Sequence, residues 1–286
     1  TAVGRRVAQA AAANLTPTTL ELGGKSPCII DADCDLHDAA LKIAHGKLLN
    51  AGQTCIAPDY VLLPRGSEAA FADAYRAAVA RLFPYFEGNP DYASIINTRH
   101  LARLRTLLQQ AQTLGAEVQV LQPVPGSPPP PPQGIGDGVG RQMAPVLVFG
   151  AVPGMQLMQE EIFGPVLPVI GYERLDDAIA HINAQPRPLA LYWFGRSEKV
   201  RNDVLRRTVS GGVSVNDTLM HIAHDGLPFG GVGDSGWGAY HGELGFLRFC
   251  HQKSVLVQSR WSLGHWLYPP YGARLDKVLA LLRRIA

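Results

Sequence analysis

Short, uninterrupted apolar runs alternate with longer segments of helical period along nearly the whole chain, and this rhythm restricts the fold more than any other feature. Apolar runs fall at Cys28–Ile30, Tyr60–Leu63, 117–121, 146–149, 166–170, 189–194 and 212–215, with a further short strand predicted over Thr18–Leu22. Helical spacing covers residues 2–14, Asp35–Asn50, 175–183 and 197–207. Two more helices are predicted, one capped by Ser67 and running to about Phe83, the other capped by Thr98 and ending near Gly115. Strands that alternate with helices predict an α/β architecture around a largely parallel sheet.

The chain has 286 residues, enough for one large domain or two modest ones. Its 26 Lys+Arg against 24 Asp+Glu leave no basic footprint, which disfavours a nucleic-acid binder. No apolar run reaches the roughly 20 residues that span a bilayer. Four cysteines (Cys28, Cys34, Cys55 and Cys250) are too sparse for a disulfide framework, and no CxxC pair suggests zinc. With no signal peptide visible, the expected compartment is reducing and cytoplasmic. The opening at Thr1, without Met and inside an Ala-rich helical pattern, reads as the start of a fragment or a processed product.

Two segments break the rhythm. Gln122–Gly140 holds Pro128–Pro132 and five glycines, and is expected to be an exposed surface insertion rather than a polyproline ligand. Near the end, Trp261, Trp266, Tyr268 and Tyr271 precede a stripe of Leu275, Val278, Leu279 and Leu282 beside Lys277, Arg283 and Arg284. Packing on its own or a partner subunit is expected for this tail, ahead of membrane contact.

Cys55 is the first candidate for chemistry. It lies in Asn50-Ala51-Gly52-Gln53-Thr54-Cys55, just past a helix and before a strand, where small residues leave the sulfur accessible. A thiol needs a neighbouring base or cofactor before it is a useful nucleophile. The alternative is a half-buried structural thiol, which Cys28, Cys34 and Cys250 fit better because they lie in or beside apolar runs. Glu21, at a strand end beside Gly23 and Gly24, can project a carboxylate into a cleft, although an exposed strand-end glutamate is commonplace. Glu160-Glu161-Ile162-Phe163-Gly164-Pro165 is a second acidic cluster, whose alternative is a loop with Phe163 packed inward. Gly231-Val232-Gly233-Asp234-Ser235-Gly236 fits G-x-G-x-x-G in form only, since no β-rich run precedes it and no acid follows at the required distance. Its Gly233-Asp234-Ser235-Gly236 stretch also echoes a serine-protease loop, but that fold is all-β. His221 and His224, with His241 further on, lack the partners of a metal site, so no metal is expected.

Taken together, four of these segments resemble the aldehyde dehydrogenase superfamily. They are Leu20-Glu21-Leu22-Gly23-Gly24-Lys25-Ser26-Pro27, Gly52-Gln53-Thr54-Cys55, Glu160 to Val166, and Pro228-Phe229-Gly230-Gly231, in the family's order. Val215-Asn216-Asp217 and Ser235 to Gly242 look like its class 3 branch. The tail and Leu219 to His224 are similar to bacterial coniferyl aldehyde dehydrogenases.

The resemblance implies catalytic roles for Cys55 as nucleophile and Glu21 as base, with NAD or NADP as cofactor. It implies that Glu161 holds the nicotinamide ribose, that Phe163 lies beside the ring, and that Gly23 contacts the nicotinamide region. Thr1 and Gly4 would be remnants of the turn under the pyrophosphate. The implied division is the end of a cofactor domain at 1–22, a catalytic domain at 23–225, a return segment at 226–253, an oligomerisation strand at 254–259 and a tail at 260–286. Most of the cofactor domain would then lie upstream of Thr1. The expected activity is oxidation of an aldehyde, coniferyl or another aromatic one, by a homodimer or higher oligomer. Two rivals are a cofactor-independent thiol esterase and a non-catalytic assembly subunit.

Overall fold

The computed structural model describes residues 1–127, 140–262 and 264–285. Residues Thr1–Phe249 form one compact unit and Cys250–Ala286 a second. The first unit opens with α1 (Ala2–Ala13) and the two-residue strand β1 (Leu20–Glu21). It continues with β2 (Ser26–Ile30), α2 (Leu36–Leu48), β3 (Pro58–Pro64), α3 (Glu68–Leu82), α4 (Thr98–Thr113), β4 (Glu117–Val120) and β5 (Val146–Phe149). After the single turn α5 (Gln156–Gln159) come β6 (Val166–Tyr172), α6 (Leu175–Ala184), β7 (Ala190–Phe194), α7 (Glu198–Arg207) and β8 (Gly212–Val215). The short strand β9 (Gly236–Trp237) and α8 (Gly242–Arg248) complete it.

Seven strands form one sheet in the order β4-β5-β6-β3-β2-β7-β8. Every neighbouring pair is parallel except the edge pair β4–β5. All five residues of β2 and of β7 are buried, as the apolar runs require of strands covered on both faces. The seven strands of the main sheet and the longer helices of this unit fall where the sequence predicts them, whereas α5, β9 and α8 carry no predicted element. The remaining differences lie at helix ends. Asp35 caps α2 by accepting from His37 N and Asp38 N, but the helix stops at Leu48 and a tight turn over Leu49–Gly52 replaces its predicted last turn. Asn97, not Thr98, caps α4, because its side chain accepts from His100 N at 2.9 Å. Ser67 occupies the cap position of α3 without a side-chain bond; Glu68 instead accepts from Gly66 N at 2.6 Å.

The strand predicted over Thr18–Leu22 stands outside the main sheet. Leu20 and Glu21 pair antiparallel with Trp237 and Gly236, and Leu22 N donates to Ser235 O at 3.0 Å. The formal G-x-G-x-x-G is thus a turn that feeds β9, with no strand-to-helix step. A side chain at Gly236 would collide with the carbonyl of Leu20. Of the predicted 122–140 insertion, residues 128–139 lie outside the described residues. At its start, Val124 N and Ser127 Oγ both donate to Pro84 O.

In the second unit a short helical turn spans Gly264–Leu267 and α9 runs over Ala273–Ile285. Residues 251–259 carry no strand pairing, and Val255, Leu256 and Val257 are 73%, 89% and 86% exposed. No helix among the described residues is long and apolar enough to cross a membrane.

Candidate active site

Cys55 is carried by a loop whose backbone departs sharply from α2. Asn50, Ala51 and Gly52 are all left-handed, with φ of 51°, 52° and 77°. Such a run is costly for the two residues with side chains and persists only where other contacts hold it. Gln53 supplies those contacts. Its Nε2 donates to Asn50 O and Ser94 O, both at 3.0 Å, and its Oε1 accepts from Ile96 N at 2.8 Å. The side chain therefore pairs with residues 94–96 as a strand edge would. Beyond the cysteine, Tyr192 Oη donates to Ile56 O at 2.6 Å, and the chain enters β3. Cys55 is left half-buried at the mouth of the loop.

Glu21 reaches the same place from the β1–β9 pair. Its Oε1 is shielded from solvent and has no hydrogen-bond partner among the described residues. Burial, then the Glu21 charge and a hydrogen bond to it, then the Glu161 charge, push the Cys55 thiol up to about 12. The resting site is therefore a protonated thiol facing a carboxylate. Burial raises Tyr240 as well, followed by the charges of Glu21 and Cys55, so this partly exposed ring lies near the pair. Phe229 meets it edge-on at 5.7 Å.

The third arm is the loop from Leu157 to Gly164. The carboxylate of Glu161 lies over the bare Cα of Gly23, where a methyl group would approach Oε1 to 2.7 Å and Oε2 to 2.9 Å. Burial, then the neighbouring Asp59 charge, raises Glu161 to about 7, against a hydrogen bond from the Gly24 backbone. Phe163 is left-handed, with φ of 53°, and 37% exposed, so the inward-packed alternative is not what forms. A cleft of about 530 Å³ runs along Gly23, Gly24, Lys25, Glu161, Arg187 and Thr1. Cys55, Glu161 and Arg187 all lie just before strands β3, β6 and β7. The site thus occupies the amino edge of the parallel sheet, opposite the edge where open α/β sheets usually bind ligands.

The structure brings Cys55, Glu21, Glu161, Gly23 and Thr1 to one region. Thr1 Oγ1 donates to Asp234 O at 3.2 Å. Gly4 is the buried residue of α1, where a side chain would strike Leu22 Cδ2 at 2.5 Å, so packing of the helix on Leu22 accounts for this glycine. Cys28 is fully buried and Cys34 half-buried, as structural thiols; Cys250 is exposed, contrary to its expected structural role, because its segment carries no strand. His221 bonds Ser214 Oγ through Nδ1 at 2.8 Å, and no group of residues suited to a metal occurs among those described.

Sequence reasoning passes over four charged side chains, three of which hold the site. Lys25 pairs with Asp59 and also donates to Leu157 O at 2.7 Å and Glu160 O at 3.0 Å. Asp59 Oδ1 accepts from Ile162 N at 2.9 Å. Arg103 bonds the carbonyls of Glu161 and Ile162. Lys47 is 1% exposed, and its Nζ has no hydrogen-bond partner among the described residues. An acid inside the apolar β3 run was the visible signal for Asp59; Arg103 and Lys47 look like ordinary helix-surface charges.

The sequence matches the profile of the aldehyde dehydrogenase family over residues 1–255. The chain belongs to the aldehyde dehydrogenase family. Among its relatives, a protein of Pseudomonas aeruginosa named probable coniferyl aldehyde dehydrogenase is 49% identical over 279 residues, covering 98% of this chain and 56% of the relative. The rat dimeric NADP-preferring aldehyde dehydrogenase is 41% identical over 280 residues, covering 97% of this chain and 58% of that one. A Staphylococcus aureus AldH structure, described as a substrate-bound state, superposes with a TM-score of 0.85 at 39% identity, covering 98% of this chain and 58% of that one. The chain therefore spans little more than half the length of these family members.

Proposed function

We propose that the protein containing this chain oxidises an aldehyde to its carboxylic acid with NAD or NADP. The observation that carries this reading is the Glu21 carboxylate set against the Cys55 thiol, with the Glu161–Gly23 contact beside it. The residues fit a nicotinamide cofactor. Gly23 has no side chain to push the Glu161 carboxylate aside, and that carboxylate in the cleft can accept hydrogen bonds from ribose hydroxyls. Phe163 and Thr1 would complete that surface.

In this reading Glu21 takes the thiol proton as the Cys55 sulfur bonds the aldehyde carbon, giving a thiohemiacetal. The Cys55 backbone N–H faces the developing oxyanion. When bound, with Glu161 and Gly23 holding it, a nicotinamide cofactor would supply the two-electron acceptor that oxidation of the thiohemiacetal to a thioester requires. Glu21 gives up the thiol proton to solvent, then draws a proton from the water that attacks the thioester, and returns it to the Cys55 sulfur as the acid is released. The Tyr240 and Phe229 rings beside the pair, together with the Pseudomonas relative's name, favour an aromatic aldehyde such as coniferyl aldehyde. The rat relative's name supports a homodimer.

In the full-length protein, Cys55→Ala is expected to abolish aldehyde-dependent NAD(P)H formation. Glu21→Gln is expected to slow the burst of reduced cofactor without lowering its stoichiometry, and to slow steady-state release of acid. Steady-state turnover retained by Cys55→Ala would remove Cys55 from this role.

A further inference from the structure

The Leu157–Gly164 stretch ends in two residues that regular structure does not support: Phe163 is left-handed, and Gly164 follows it, with Pro165 between it and β6. Its shape is imposed by side chains from three other elements. Lys25, before β2, gathers the carbonyls of Leu157 and Glu160, and Asp59 in β3 holds the N–H of Ile162. These two form an ion pair buried in the core. The remaining support comes from α4, on the opposite side. Arg103 Nη1 donates to Glu161 O at 3.4 Å and Nη2 donates to Ile162 O, while the Glu160 carboxylate lies 3.9 Å from Nη1. The next residue of the helix, Leu104, packs on Gly164, where a methyl group would come within 2.6 Å of its side chain.

A guanidinium that holds two successive carbonyls fixes the peptide planes on both sides of Ile162. The first of those planes begins at the Cα of Glu161, so its orientation sets where the Glu161 side chain leaves the backbone. That side chain must then cross to the bare Cα of Gly23. A planar fork can serve two acceptors at once, which a single ammonium does poorly. The arginine side chain is itself partly exposed, so its bonds can be removed without opening the core.

We propose that Arg103 is a positioning residue for Glu161: by bonding the Glu161 and Ile162 carbonyls it aims the Glu161 carboxylate over Gly23 and so sets the affinity for a nicotinamide cofactor. This rests on the reading of Glu161 as the ribose-holding residue.

The test is direct binding of NADH and NADPH to the full-length protein without aldehyde, followed by cofactor fluorescence, for wild type, Arg103→Gln, Arg103→Lys, Glu161→Gln and the double variant Arg103→Gln/Glu161→Gln. Arg103→Gln is expected to weaken binding about tenfold, and Arg103→Lys to recover only part of the loss. The double variant is expected to bind within about twofold of Glu161→Gln alone, since the arginine acts through that carboxylate. The near-UV circular dichroism of Arg103→Gln should keep its wild-type form, which a general collapse of the site would change. Wild-type affinity in Arg103→Gln, or a tenfold loss that persists on top of Glu161→Gln, overturns the proposal. If Glu161→Gln binds normally, the ribose role of Glu161 fails and this inference falls with it. If Glu161→Gln weakens binding and Arg103→Gln does not, the positioning role alone fails. Should Arg103→Gln not fold, Arg103→Lys carries the test, and undiminished affinity in it overturns the proposal.

Discussion

Gly52 and Gly164 touch backbone to backbone: a methyl group on Gly52 would lie 2.6 Å from the carbonyl carbon of Gly164 and collide with its oxygen. The turn that presents Cys55 is thereby seated on the loop that carries Glu161. With φ of 77° at Gly52, a side chain there is strained by its own backbone as well as by its neighbour. Gly52→Ala is expected to lower unfolding stability by about 2–4 kcal/mol. Denaturant titration checks this, and a wild-type midpoint would show that the two loops part at little cost.

Gln53 holds the same turn from its other side through three hydrogen bonds, to Asn50 O, Ser94 O and Ile96 N. Gln53→Ala leaves those backbone groups to find water, at a cost of about 1–3 kcal/mol. The expected result is a lower urea midpoint with an unchanged m-value, because the surface exposed on unfolding stays the same.

The Cys55 thiol is expected to label slowly at neutral pH. At a pKa of about 12 the thiolate fraction grows about tenfold per pH unit throughout the range where the fold survives. Glu21→Gln removes the carboxylate charge that contributes to this shift, so labelling of Cys55 should level off at lower pH than in wild type. Peptide-resolved iodoacetamide rates across pH measure it. Identical profiles in the two proteins would separate Glu21 from the sulfur.

Glu161 is raised from 4.5 to about 7 in the folded chain, chiefly by burial. The folded state therefore holds a proton that the unfolded chain has lost, and stability falls as pH rises from about 4.5 through about 7. Glu161→Gln, which cannot ionise, should be more stable than wild type above pH 7, by roughly 2–3 kcal/mol, with the difference gone below pH 4.5. Thermal melts at several pH values give the sign directly.

Burial lowers Lys47 from 10.5 to about 8, with Lys25 adding to the effect and Asp59 and Glu161 opposing it. A depressed lysine penalises folding wherever it is charged, so the penalty is full below about pH 8 and fades towards 10.5. Lys47→Met should raise stability by roughly 2–3 kcal/mol at neutral pH, and by progressively less as the solution becomes alkaline. A melting temperature that falls in Lys47→Met would mean that its ammonium is stabilising where it lies.

The five inner strands, β2, β3, β5, β6 and β7, were readable because a strand covered on both faces must be apolar at nearly every position, while the edge strands β4 and β8 are partly exposed and showed as short alternating runs. Helix starts were readable to within a residue or two, since capping is a local matter of which side chain reaches which N–H, as the exchange of Thr98 for Asn97 shows. Cys55, Glu21 and Glu161 were legible for another reason: they sit in short motifs whose resemblance to a family marks them, while the surrounding pattern alone left each with an ordinary alternative.

Local pattern was thus sufficient for the elements and the α/β class, because hydrophobic period and capping depend on neighbours within a few positions. It could not supply the pairing of Glu21 with Gly236, 215 residues apart, nor the side chains that shape the Glu161 loop. Lys25, Asp59 and Arg103 come from a turn, a strand and a helix, and each acts on backbone groups 55 or more residues away. Hydrogen bonds of that kind leave no period and no motif. They exist only after burial has brought the segments together and left polar backbone groups that must find partners.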